Sequence, residues 1–229
     1  MGPQQLSTLL PDGVEARQGR VGLALVAGLS ILAGMTDAIG FLATGNFVSF
    51  MSGNTTRLAA DLGHGQWWPA VQLALAILVF VLGNAGGVLF QRLSGRRACV
   101  LLAFLALLLG LAAWLPNAEA ALLLAIFAMG MVNAAVEQVN GLPIGLTYVT
   151  GALSRFGRGL GRWLLGERRP GWRSQLVPWC GMLLGGILGA LLESHLGLAA
   201  LFVSSGLAAA LAVAFRLVPH GWQVRYLAG

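Results

Sequence analysis

Ser49 to Leu58 reads SFMSGNTTRL, and Thr147 to Phe156 reads TYVTGALSRF. Ser49 lies over Thr147, Phe50 over Tyr148 and Ser52 over Thr150, while Gly53/Gly151 and Arg57/Arg155 are identical pairs. The likeness extends outward on both sides. Gly34-Met35-Thr36-Asp37-Ala38 lies over Gly130-Met131-Val132-Asn133-Ala134, the Gly83/Gly87 pair over Gly185/Gly189, and Gly95 over Gly197. A chain that nearly repeats itself in two apolar halves has the build of many membrane transporters, which assemble two such halves around a central site.

The apolar runs decide the class. Of the 229 residues 57% are hydrophobic and 10% charged, and the mean hydropathy is +0.80, outside the range of ordinary soluble domains. About 20 mostly apolar residues cross a hydrocarbon core as a helix. Val21–Leu42, Trp68–Phe90, Ala98–Leu115, Ala118–Val139, Gln175–Leu192 and Leu198–Val218 are read as six such runs. Lipid offers no partner to backbone N–H and C=O groups, so these runs must satisfy themselves as helices. Residues 1–19, with Pro3 and Pro11, read as a polar tail, and the first apolar run as an uncleaved helix.

All 14 basic side chains are arginine. With six crossings and both termini in the cytoplasm, Arg57 alone falls outside, as the positive-inside rule demands of a bacterial inner-membrane protein. Three crossings per half is an odd number, so the second half enters from the opposite face. The expected fold is an all-α integral membrane protein of six transmembrane helices in two inverted three-helix repeats, 20–117 and 118–229, forming one membrane domain. Thr44–Gly65 and Gly141–Gly166 are too polar to span and too apolar for loops. Re-entrant or broken helices are the favoured reading over helices lying flat on each surface.

The Gly83/Gly87 and Gly185/Gly189 pairs permit close helix approach, primarily between the halves; a homodimer interface is the other use. Arg155, Arg158, Arg162, Arg168, Arg169 and Arg173 suit anionic membrane lipids, and the membrane setting argues against nucleic acid. Cys99 and Cys180 show no motif spacing, and no metal-ligand pattern, cofactor motif or nucleophile–base pair stands out, so an enzyme is not expected.

Asp37-Ala38-Ile39-Gly40-Phe41-Leu42 followed by Phe47-Val48-Ser49-Phe50-Met51-Ser52-Gly53-Asn54-Thr55 resembles the YoaK-like family of bacterial inner-membrane proteins, as do Gly130–Ala135 and Thr147–Gly151. The resemblance covers about Leu23 to Leu217; Glu137-Gln138 departs from the more basic stretch the family pattern implies. It implies a multi-pass membrane protein and supplies no activity or substrate.

The candidate solute-binding residues are Asp37, Ser49, Ser52, Gly53, Asn54, Thr55 and Arg57 from the first half, and Asn133, Thr147, Thr150, Gly151, Ser154 and Arg155 from the second. A carboxylate at the bilayer centre costs about 2.5–3.5 kcal/mol on insertion scales, so Asp37 must face inward and find a partner. Arg57 is the expected one. Asp37 is either a proton or cation site coupled to transport or a structural tie that fixes the re-entrant segment. A half-helix starting near Asn54 would offer free N–H groups to an anion, with Arg57 as a forked donor, and the second copy would repeat this. The same hydroxyls also serve as caps for a broken backbone. These readings lead to a small-solute secondary transporter, with an anion and proton coupling as the candidate chemistry. A non-transporting membrane scaffold or assembly factor is the alternative, and a channel a third.

Overall fold

The computed structural model describes residues 12–95, 97–133, 138–139, 142–143, 149–168 and 171–218. Eight α-helices follow in order among them: α1 (Asp12–Thr44), α2 (Met51–Gly63), α3 (Trp67–Leu93), α4 (Ala98–Trp114), α5 (Ala118–Val132), α6 (Val149–Leu164), α7 (Leu176–Leu196) and α8 (Leu201–Leu217). Single 3-10 turns at Trp172–Gln175 and Gly197–Ala200 lead into α7 and α8. Three helical stretches, Arg17–Thr44, Trp67–Leu93 and Trp172–Leu217, are long and apolar enough to cross a membrane, whereas α4 and α5 are shorter apolar helices.

One expected run is cut short. The sequence reading carries the fourth crossing to Val139, but α5 ends at Val132, and Gln138–Val139 pairs antiparallel with Leu142–Pro143. Asn140-Gly141 stands between these strands, a dipeptide suited to a tight hairpin. Pro143, lacking an N–H, disfavours continuation of a helix.

α1 packs mainly on α7, α3 on α5 and α4 on α8. Leu29, Leu32, Ile39, Leu101, Leu105, Ile126, Met129 and Phe215 are fully buried at the centre of this arrangement. By contrast α3 exposes Val71, Leu78, Leu82 and Leu89, and α7 exposes Leu184 and Ile187. An apolar outer face of this extent needs lipid against it, which places the chain in a membrane.

Glycine sets the two closest crossings. Along α7, Gly181, Gly185 and Gly189 rest on the backbone carbonyls of Ala27, Ile31 and Met35 of α1, so the two helices run parallel. Gly34 of α1 in turn abuts the backbone of Met182. The second crossing repeats the first residue for residue: Gly83 of α3 abuts Phe127 of α5, and Gly130 abuts Phe80. By the spacing of the sequence repeat, Gly34 corresponds to Gly130, Ile31 to Phe127, Met182 to Phe80 and Gly185 to Gly83. Gly83, Gly185 and Gly189, members of the glycine pairs, thus lie between elements of the two halves. Gly95 and Gly197, which also correspond, both adopt left-handed backbone (φ 70° and 58°) at the bends after α3 and α7.

Candidate functional site

After α1 ends, the chain turns back on itself. Thr44 caps inward, its hydroxyl donating to the Gly40 carbonyl (2.7 Å), and Gly45 follows with φ 80°. The segment 45–50 then runs back beside α1. Val48 rests on Gly40, where any side chain would displace it. Asp37 receives it: its Oδ1 accepts from the backbone N–H of Val48 at 2.7 Å and of Ser49 at 2.8 Å. Asp37 lies seven residues before the end of α1, about 10 Å of helix at 1.5 Å per residue. The chain thus descends to that depth, and α2 climbs back out. The first polar segment folds back along α1, and α2 begins at Met51 rather than near Asn54.

The expected pairing of Asp37 with Arg57 does not form. Arg57 donates instead to the Gly45 carbonyl and to Oδ1 of Asn46 (3.1 Å). The reason is geometric. Arg57 lies nearly two turns along a helix whose N-terminus is at the Asp37 end, so its side chain meets the top of the descent. Asp37 finds its partners in the backbone that the descent itself leaves unpaired.

Asn54, fully buried, closes the same loop. Its Oδ1 accepts from the Phe47 N–H (3.1 Å) and its Nδ2 donates to the Phe47 carbonyl (2.8 Å). Phe47 also stacks on Phe41 (4.5 Å) and meets Phe50 edge-on (5.2 Å), and the two rings Phe47 and Phe50 lie against Gly53. Asn54→Leu, which removes both bonds to a buried backbone pair, is expected to cost about 2–4 kcal/mol. A thermal-unfolding series on the purified variant checks this, and wild-type stability would refute the role.

The polar segments meet across a cavity of about 360 Å³. Ser49, Phe50, Met51 and Ser52 line it from the start of α2, and Val149, Thr150 and Gly151 from the start of α6. Phe80 and Met182, corresponding residues of α3 and α7, complete the wall, with Phe80 at the midpoint of α3. Of the sequence candidates, Ser49, Ser52, Thr150 and Gly151 come together here. Thr55 donates to the Met51 carbonyl (2.8 Å), Gly53 packs on Phe47 and Phe50, and Ser154 is exposed, so none of these three lines the cavity. Arg155 does not line the cavity: its Nε donates to Oε1 of Gln175 (2.7 Å), while its Nη1 lies beside Gly151. Asn133 caps α5, and Thr147 lies outside the described residues, as does Glu137.

The Ser49 hydroxyl is buried beside the Asp37 carboxylate. Residue typing alone missed Phe80 and Met182, since apolar residues in apolar helices carry no polar signal. Their matched places three residues before Gly83 and Gly185 were the signal that could have found them. A smaller cavity of about 140 Å³ lies between Thr44, Asn46, Gln72 and Glu119, where Gln72 donates to Glu119 (2.7 Å).

A family model described as "Protein of unknown function (DUF1275)" matches residues 25–214. The UPF0700 transmembrane protein RA0705 of Rhizobium meliloti (strain 1021) is 50% identical over 214 residues, covering 93% of this chain and 95% of that protein. No solved structure matches the chain.

Proposed function

We propose that this chain, which belongs to the YoaK-like family of transmembrane proteins of unknown function (DUF1275), is a secondary transporter of a small solute. The observation that carries the reading is the cavity between the starts of α2 and α6. Corresponding residues of the two halves line it, and at about 360 Å³ it falls within the usual range of small-molecule sites. A packed scaffold has no need of such an opening where the two halves meet.

The direction of the helices supports inverted repeats with six crossings. α3 and α7 are counterparts, and within the first repeat α3 returns across the membrane that α1 has crossed. α7 nevertheless runs parallel to α1, so the second repeat is turned over relative to the first. The repeats can then rock about the glycine crossings and open the cavity to each side in turn. The arginine distribution favours cytoplasmic termini in a bacterial inner membrane. On that face, Arg168 over Trp163 (5.1 Å) and Arg173 over Trp172 (5.3 Å) are held ready for anionic lipid headgroups.

Coupling to a proton would act at Asp37. Protonating its carboxylate replaces charge-assisted acceptance from Val48 and Ser49 by weaker neutral bonds, loosening the descent into α2. The test of the main reading is uptake into proteoliposomes. Saturable uptake of a solute, reduced at least about tenfold when Thr150 is replaced by bulky Phe, is the expected result. Uptake unaffected by closing the cavity would end it.

A further inference from the structure

The far end of α6 carries a second constellation, away from the cavity. Phe156, Gly159 and Trp163 share one side of the helix at spacings of three and four. All three rest on Trp172, which opens the turn leading into α7. The Phe156 and Trp163 rings lie 5.1 and 6.4 Å from the Trp172 ring, and a side chain at Gly159 would overlap Trp172. Two half-buried indoles are thus held side by side where a spanning helix begins. At that depth tryptophan sits at the membrane–water boundary.

Each indole carries a guanidinium. Arg168 stacks over Trp163 at 5.1 Å and Arg173 over Trp172 at 5.3 Å, both as exposed side chains. A guanidinium stacked by its face keeps the N–H fork at its edge, so each can donate to an oxyanion without leaving its ring. The local charge calls for one. From Val149 to Gln175 the chain holds six arginines and one acid, Glu167, so most of these positive charges find no carboxylate within the stretch. An anionic phospholipid meets all three features, with a phosphodiester for the forks, a negative charge for the excess and acyl chain against the indoles.

We infer that Trp163, Arg168, Trp172 and Arg173 form a specific site for the headgroup phosphodiester of an anionic phospholipid, whose occupation fastens the end of α6 to the start of α7. This deepens the lipid contact proposed above and rests on that face lying at the headgroups; it does not depend on transport.

The full-length protein in a neutral detergent is offered phosphatidylglycerol and phosphatidylcholine of the same acyl chains. Bound lipid is counted by native mass spectrometry, and melting is followed in parallel. Phosphatidylglycerol should be retained at least about fivefold over phosphatidylcholine, and should raise the melting temperature by mass action. Arg168→Lys combined with Arg173→Lys keeps both charges and loses the flat stacked forks, so the preference should fall at least about threefold. Arg92→Gln combined with Arg97→Gln removes two exposed arginines expected on the same membrane face, and should leave the preference unchanged.

Equal loss in the two double variants, or no loss in the lysine pair, reduces the site to diffuse charge and overturns it. Equal retention of the two phospholipids overturns the anionic headgroup while leaving a lipid-facing surface. Retention of neither removes the lipid contact of this face altogether. A melting rise of the same size from inorganic phosphate alone assigns the forks to a soluble anion and overturns the phospholipid.

Discussion

Replacing Gly185 by Val should leave little folded protein. A Cβ at this position would overlap the Ile31 carbonyl of the neighbouring helix, and backbone cannot rotate aside as a side chain can. The helices must separate, and α1 loses its principal packing partner. Overpacking of a tight site costs about 1–3 kcal/mol and more where backbone must move, so at least about 3 kcal/mol is expected. Gly34→Val should do the same through Met182, and Gly83→Val and Gly130→Val should match them at the corresponding crossing. Gly206, in α8, has open space around it and serves as control: Gly206→Ala should raise stability by about 0.5–1 kcal/mol through helix propensity alone. Yield of monodisperse protein and melting temperature in one detergent would be compared across the set. If Gly185→Val and Gly206→Ala melt together, the glycine crossings do not hold this fold.

Asp37→Ala should be nearly as damaging, for an electrostatic reason. It strands the N–H groups of Val48 and Ser49 away from water. An orphaned buried donor costs about 1–3 kcal/mol, and two together about 2–6 kcal/mol. Asp37→Asn retains an acceptor oxygen at the same place and loses the charge, so a loss of about 1–2 kcal/mol is expected. Limited proteolysis across residues 45–50 reads the local effect, and thermal melting the global one. The pair of variants also separates the two roles of this carboxylate. A stable Asp37→Asn protein that binds solute but no longer accumulates it assigns Asp37 to coupling. One that transports normally leaves it as the clamp of the segment that folds back over α1. Full stability of Asp37→Ala would remove the clamp.

The membrane class, the matched glycine spacings and the inward-facing carboxylate were legible in the sequence because each follows from one-dimensional rules. Lipid forces apolar runs into helices, close helix crossings need small residues at a fixed spacing, and a charge in hydrocarbon must find a partner. Gly34, Gly83, Gly130 and Gly185 were equally visible, since an apolar helix retains glycine at matched places where backbones touch. Which partner Asp37 finds was not visible. Arginine is the stronger attractor in isolation, yet the backbone of Val48 and Ser49 reaches the carboxylate first, once the chain folds back over Gly40.

The candidate site divides the same way. Its hydroxyls at Ser49, Ser52 and Thr150 could be read from the repeated motif. The diversion of Arg57 to Asn46 and of Arg155 to Gln175, and the walls supplied by Phe80 and Met182, could not. Local sequence sets which groups a helix end carries, because that depends on residues a few positions apart. Whether a long arginine side chain turns into a cavity or away from it depends on acceptors brought close by other elements, and only the packed helices decide that.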